Sequence, residues 1–219
     1  MDFRRFGDKR SLQRPVIDAD ELTAAAPDPA DELTVADARV DGGDFTDLDG
    51  EGEIERSILT GVDLSGSRLR PLVLADVELS GADVSNALWS QTIARRVEVL
   101  SCRATGWRLS LDLALDTYVG DTRLDYAAIK VNRVKGLLVF ERCSFANAQL
   151  GGDLSRVLFV DCDLAGAEFT ATAARDCDLR TSRVADARGI ASLRGALITT
   201  DQVIAVADQL AREAGLQIS

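Results

Sequence analysis

The chain has 219 residues, of which 46% are hydrophobic, and its 36 acidic and 25 basic residues give it a formal net charge of −11. This length fits one domain with tails, and the negative charge argues against direct binding of nucleic acid. No apolar run approaches 18 residues and the Arg-rich start does not resemble a signal peptide, so we expect a cytoplasmic protein that makes no membrane contact.

Residues 1–35 are predicted to form a basic and then acidic tail that is partly flexible. Residues 1–15 contain five basic and two acidic side chains, and we interpret them as a mobile tail. Residues 16–55 contain fourteen acidic residues and a single basic one, Arg39, whereas residues 56–219 are close to neutral. The acidity of the chain is therefore concentrated at one end.

This acidic stretch contains our candidates for binding a cationic protein partner. They are Asp41, Asp44, Asp47, Asp49, Glu51 and Glu53. A basic groove on another protein would attract them. The alternative interpretation is a solvated, flexible segment that keeps the protein soluble.

Residues 36–189 form the second predicted unit, in which apolar side chains recur with a period of five. Seventeen consecutive fifth positions, and then a second run of seven, are apolar without exception. The first run is Leu59, Leu64, Leu69, Leu74, Leu79, Val84, Trp89, Ala94, Val99, Ala104, Leu109, Ala114, Val119, Leu124, Ile129, Val134 and Val139, and the second is Leu154, Phe159, Leu164, Phe169, Ala174, Leu179 and Val184. The position two residues before each of these is usually small, which suits a second inward position.

A period of five fits neither regular element. Five residues advance a side chain by about 140° around an α-helix, so no apolar face forms. Along a straight strand, successive fifth positions point to opposite sides. A chain that turns a corner every five residues points each central side chain inward again, and stacked square coils bury one column of them. We therefore predict an all-β solenoid of about seven coils, a rod of around 35 Å.

The repeats resemble a known family. Ala82-Asp83-Val84-Ser85-Asn86, Cys162-Asp163-Leu164-Ala165-Gly166 and Cys177-Asp178-Leu179-Arg180-Thr181 are similar to the pentapeptide-repeat unit A(D/N)LXX. The resemblance covers about residues 43–187 and implies a right-handed quadrilateral parallel β-helix. Two segments, 68–79 and 191–196 with 201–203, resemble the mycobacterial MfpA kind of the family. The resemblance implies a partner, since the MfpA and Qnr types bind type II topoisomerase in place of DNA.

The repeat has local irregularities. Trp107 and Asp112 stand where a small residue belongs, and the register slips by one near residues 135–145 before it recovers at Gly151-Gly152. We expect a bulge or a small loop at each slip, because glycine tolerates the backbone angles that these require.

Residues 190–219 form the third predicted unit, a C-terminal helix and tail. The helix is expected from about Thr200 to Ala214, with Thr199 and Gln202 at capping-box spacing. Its apolar face and tail are predicted either to cap the open end of the solenoid or to form a two-fold dimer. By family resemblance we favour the homodimer. The residues concerned are Val203, Val206, Ala207, Leu210, Ala214, Leu216 and Ile218.

The residue types present argue against an enzyme. The chain contains no histidine, the commonest general base and metal ligand. It has no phosphate-binding or dinucleotide motif, so we expect no catalytic residues, cofactor or metal. The four cysteines have no CxxC spacing, and we interpret them as reduced core thiols rather than a disulfide or zinc site.

Two functions remain open at this point. The first is a homodimeric, DNA-mimic-like modulator that protects DNA gyrase from antibiotics, as the family resemblance implies. The second is a solenoid interaction scaffold with another protein partner. An exposed Trp89 or Trp107 would indicate where such a partner docks.

Overall fold

The computed structural model describes residues 2–7, 9–26 and 32–217. Within them the chain forms fourteen strands, a 3-10 helix at Ile190–Ser192 and two short helices, α1 (Thr200–Ala205) and α2 (Ala207–Glu213). The strands are β1 (Phe3–Phe6), β2 (Arg10–Gln13), β3 (Thr23–Ala24), β4 (Glu32–Ala36), β5 (Ala38–Asp41), β6 (Asp49–Thr60), β7 (Arg68–Ser80), β8 (Leu88–Leu100), β9 (Arg108–Gly120), β10 (Ala128–Val131), β11 (Val134–Glu141), β12 (Gln149–Asp153), β13 (Val157–Val160) and β14 (Glu168–Ala173).

Strands β3 to β14 stack in parallel as a solenoid of about seven turns, which confirms the predicted fold class. Each strand pairs with the strand one coil further along the chain, so that Leu69 lies beside Trp89, Trp89 beside Leu109, and Leu109 beside Ile129. These partners are twenty residues apart, and each coil therefore has four sides of five residues.

The corners explain the five-residue period in backbone terms. The residue two positions after a central apolar residue repeatedly adopts a positive φ, as at Gly61 (64°), Asn86 (57°) and Arg96 (51°). This left-handed conformation turns the chain so that the next central side chain again points inward. At one corner the residue in this position is Pro71, and its peptide bond to Arg70 is cis.

The core is an axial column of the predicted side chains. All residues of both apolar runs are buried in one cluster except Val139, which is buried in a second cluster outside the coil. The two tryptophans are buried as well, edge to face with ring centroids 5.1 Å apart, and Trp89 Nε1 donates to Ser67 Oγ at 3.0 Å. Neither tryptophan therefore offers the exposed docking point considered above.

The irregularities predicted from the sequence are bulges. Pairing between β9 and β11 shifts between Lys135 and Leu138, and pairing between β12 and β14 shifts between Gly152 and Asp153. A further shift places Leu111 beside Thr92 in the core and leaves Asp112 exposed. The chain thus keeps a carboxylate out of the core by moving its register by one residue.

A buried threonine in this core gives a testable prediction. Thr92 is 1% exposed and its hydroxyl has no hydrogen-bond partner among the described residues. We expect Thr92→Val to stabilise the protein by about 1 kcal/mol, because it removes an unsatisfied buried polar group without changing the volume. Chemical denaturation would measure this change.

Thr122 is the matched control for that substitution. Its Oγ1 donates to the Gly120 carbonyl at 2.9 Å and accepts from the Cys102 amide at 3.2 Å. Thr122→Val should therefore destabilise the protein, by about 1–3 kcal/mol. A loss of stability at both positions would contradict the assignment of Thr92.

The C-terminal segment is two short helices rather than the single predicted one, since the chain breaks at Val206 (φ −114°). The predicted capping box is present: Thr199 Oγ1 accepts from the Gln202 amide at 3.2 Å, and Gln202 Oε1 accepts from the Thr199 amide at 2.8 Å. Gln202 Nε2 also donates to the carbonyls of Leu179 and Ser182, both at 2.6 Å. Val206 is buried in the main core cluster, so this segment packs onto the solenoid. No helix in the described part of the chain has the length and apolar character that a membrane crossing requires.

Candidate functional site

The six acidic candidates lie at the N-terminal end of the solenoid, on its first coils. All six side chains belong to exposed residues. Asp44 accepts from the amide and the hydroxyl of Thr46, at 3.0 and 2.7 Å, and these hydrogen bonds lower its pKa. Asp49 faces Arg68 at 3.8 Å. The structure therefore presents these carboxylates to solvent on a folded surface and not on an unstructured segment.

The acidic surface does not continue along the whole rod. One outward ladder across successive coils begins with Asp44, Asp63 and Asp83 and then changes to Arg103 and Arg123. Arg103 lies 3.5 Å from Asp83, and further along Arg183 lies 2.7 Å from Asp163. Beyond the third coil, arginines thus neutralise the acids on this side.

The N-terminal segment is a second structured surface, and here the structure differs from the expected mobile tail. β1 and β2 pair antiparallel, with Phe3 opposite Gln13 and Phe6 opposite Arg10. This N-terminal hairpin packs onto the outside of the solenoid and buries Leu12 completely. Residues 3–6 and 10–13 are therefore strands of a hairpin and not part of a mobile tail.

The hairpin packs here because the solenoid is apolar on its outer surface at this side. Tyr118, Val139 and Leu158 are consecutive in one outward ladder, and all three are buried under the hairpin together with Leu137. The sequence indicates this buried outer side. The segments 137–140 and 157–160 are continuously apolar, whereas a strand with one side exposed to solvent alternates apolar and polar residues. Val139 belongs to this ladder because the bulge at Lys135–Leu138 shifts the register.

Two carboxylates continue this ladder at either end and bind the arginines of the hairpin. Glu98, whose side chain is 0% exposed, accepts from Arg4 at 3.1 Å and from two nitrogens of Arg14 at 2.9 Å. Asp178 accepts from Arg10 at 2.5 Å and from Arg180 at 2.8 Å. The Arg4 guanidinium also lies 3.8 Å from the centre of the Tyr118 ring. Paired and hydrogen-bonded in this way, the buried charges are compensated.

Asp178 gives a prediction about pH. Burial alone would raise its pKa, but the hydrogen bonds from Arg180 and Arg10 outweigh burial and hold the pKa below the ordinary value of 3.8. Its contribution to stability is therefore complete above about pH 4 and is lost as the pH falls further. We expect the difference in melting temperature between the wild type and Asp178→Asn to narrow as the pH is lowered from 6 to 2. A difference that is constant over this range would contradict the pairing.

The C-terminal candidates fall into two groups. Val206 is buried and Leu210 is partly buried against the core, whereas Val203, Ala207, Ala214 and Leu216 are exposed. Ile204, which the sequence analysis did not single out, is 69% exposed beside Val203. Ile218 lies outside the described residues. Contacts with the solenoid core and an exposed apolar surface are thus both present in one short segment.

The described residues contain no group of three or more potential ligands that could hold a metal ion.

The four cysteines are free and buried, and burial raises the pKa of Cys102 to about 11. A cavity of about 40 Å³ within the coil is lined by side chains such as Leu64, Trp89 and Ala94.

Five-residue sides, corners with positive φ and a stacked column of central apolar residues together define the architecture. The fold is a parallel β-solenoid with square coils, the architecture that the sequence resemblance implies. Within this solenoid, the two candidate surfaces are the acidic first coils and the side that carries the hairpin.

Solved structures similar to this chain include that of QnrB1, a plasmid-mediated fluoroquinolone resistance protein. A trypsin-treated form is 22% identical over 84% of this chain and 88% of that one, with a TM-score of 0.46. The full-length form is 20% identical over 80% and 88%, with a TM-score of 0.45. HetL, a pentapeptide-repeat protein involved in heterocyst differentiation in the cyanobacterium Nostoc, is 19% identical over 75% and 84%, with a TM-score of 0.29. No protein-family model and no curated protein sequence matches the chain.

Proposed function

We propose that this protein is a non-enzymatic interaction protein whose acidic first coils bind a cationic surface of a protein partner. The observation that carries the proposal is the exposure of all six acidic candidates on folded coils. Residues 32–55 contain nine acidic residues and one basic residue. A concentrated patch of this kind steers a basic partner and speeds its association at low salt.

DNA gyrase is the first partner to test, because the sequence resembles family types that occupy the DNA-binding groove of type II topoisomerases. B-DNA carries one charge per about 1.7 Å of axis, so a mimic needs dense carboxylates along its surface. The first coils have them, whereas the later coils alternate acids with arginines. The proposed mimicry is accordingly confined to the N-terminal end of the rod.

A supercoiling assay tests this function. We expect the protein to inhibit gyrase and to protect it from a fluoroquinolone at low salt, with weakening as the salt concentration rises. Conversion of the six candidates to Asn or Gln should raise the inhibitory concentration at least tenfold. The control converts six acids elsewhere, namely Asp161, Glu168, Asp176, Asp186, Asp201 and Asp208. No inhibition by folded wild type at low salt would reject gyrase as the partner.

An interaction scaffold for another protein is the second candidate, and the near-neutral later coils favour it. In such a scaffold the same six carboxylates would bind a basic protein other than a topoisomerase. Affinity capture with the wild type and with the six-residue variant as bait distinguishes the two functions. A partner retained by the wild type alone, in the absence of gyrase inhibition, would identify the scaffold.

We also propose that the protein forms a homodimer through the exposed apolar residues of the C-terminal segment. Val203, Ile204 and Leu216 are 41%, 69% and 63% exposed. Ile204→Lys should give a folded monomer in sedimentation experiments, because it places a charge in the interface but leaves the cap contacts of Gln202 and Val206 intact. Asp208→Lys, exposed on α2, is the control. A wild type that is monomeric at high concentration would leave capping as the role of this segment.

A further inference from the structure

The N-terminal hairpin contacts the solenoid without joining its sheet. β1 and β2 pair with each other, and neither pairs with another strand in the described ranges. An isolated two-stranded hairpin is at best marginally stable in water. The hairpin therefore depends for its conformation on the side of the solenoid beneath it, and that side behaves as a preformed binding surface.

The binding surface is one outward ladder over five successive coils. Glu98, Tyr118, Val139, Leu158 and Asp178 are directly adjacent in this order, and we refer to them as the hairpin ladder. At about 4.8 Å per coil, the two carboxylates lie about 19 Å apart. They flank an apolar centre of three side chains, so the ladder selects a ligand with two cations separated by an apolar group.

The strand that occupies this ladder has the complementary pattern. Side chains at alternate positions of an extended strand point to the same side. Arg10, Leu12 and Arg14 are spaced in this way, and they contact Asp178, the apolar centre and Glu98, respectively. The intervening Ser11 is exposed. The recognised pattern is thus an extended Arg-x-Leu-x-Arg segment.

We propose that the hairpin ladder is a binding site for extended segments of the pattern Arg-x-apolar-x-Arg, and that a partner protein with such a segment replaces the resident hairpin. The arginines that hold the hairpin are reachable by solvent, since the side chains of Arg4, Arg10 and Arg14 are 29%, 25% and 36% exposed. Competing ligands and salt can therefore weaken the contact from its edge. This site is separate from the six acidic candidates, and the proposal does not rest on the gyrase assignment.

A peptide-binding experiment on the full chain tests the proposal. The Arg10→Gln/Arg14→Gln double variant weakens the resident hairpin and leaves the ladder unchanged. We expect a fluorescent peptide with the sequence of residues 2–16 to bind this variant at least tenfold more tightly than the wild type, in which the hairpin competes. Addition of Glu98→Gln to the double variant should abolish peptide binding.

Two controls accompany this measurement. Arg5→Gln/Lys9→Gln removes the same charge from exposed hairpin positions and should bind the peptide no better than the wild type. A peptide in which Leu12 and Gln13 are exchanged places the apolar group on the opposite side of the strand and should not bind.

Amide hydrogen exchange at residues 3–6 and 10–13 determines whether the hairpin is released. Faster exchange in the double variant together with peptide binding supports the proposal. Unchanged exchange would overturn it, because the arginines would then not hold the hairpin. Release without peptide binding would overturn it as well, and so would unfolding of the solenoid along with the hairpin, since the hairpin would then be a structural element only.

Discussion

Gly152→Ala is expected to destabilise the solenoid by about 3 kcal/mol or more. Gly152 has a φ of 86° at the bulge between β12 and β14, and a Cβ there would lie within 3.0 Å of the Val131 carbonyl in the neighbouring coil. The left-handed conformation costs an alanine about 1–2 kcal/mol, and overpacking against backbone adds about 1–3 kcal/mol. Thermal unfolding should show a fall in the midpoint of about 6–12 °C.

Gly61→Ala separates these two contributions. Gly61 has a φ of 64° at an ordinary corner, and nothing lies within 4 Å of the added Cβ. We therefore expect this control to lose only the conformational part, about 1–2 kcal/mol. Equal losses of stability in the two variants would show that the backbone at Val131 moves to make room for the added Cβ.

Phe159→Ala is expected to cost about 3–5 kcal/mol, because it leaves a cavity in the aromatic part of the core. Phe159 is 1% exposed, and its ring centroid lies 5.5 Å from that of Phe140, 5.7 Å from that of Phe145 and 6.3 Å from that of Phe169. Phe140 and Phe159 are directly adjacent in neighbouring coils, and Phe140 also packs against Phe145 at 5.2 Å, so a ring that moved into the vacated space would lose other contacts. Denaturant titration would measure the loss.

Leu88→Ala is the surface control for this change. Leu88 is also part of a strand, but it points outward and is 41% exposed. Its truncation should change the stability by no more than about 0.5 kcal/mol. A loss at Phe159 as small as that at Leu88 would mean that the coils collapse around the cavity.

The candidate sites were predictable to different degrees. The acidic candidates were found because fourteen acids within residues 16–55 are a local feature of composition. The hairpin ladder was missed, although Arg10-Ser11-Leu12-Gln13-Arg14 has the alternation of a strand with one apolar side. Arg10 and Asp178 are 168 residues apart and Arg14 and Glu98 are 84 apart, and nothing local selects these partners among the many charged residues.

The sequence by itself determined the coil. Each five-residue side must bury its central side chain and turn a corner, so the same local requirement recurs along the chain and appears as the period of Leu59 to Val184. Tertiary structure alone decided what covers the outside of that coil. The position of the N-terminal hairpin depends on Glu98, Tyr118 and Asp178 being stacked on one side, and stacking brings together residues that are separated by whole coils.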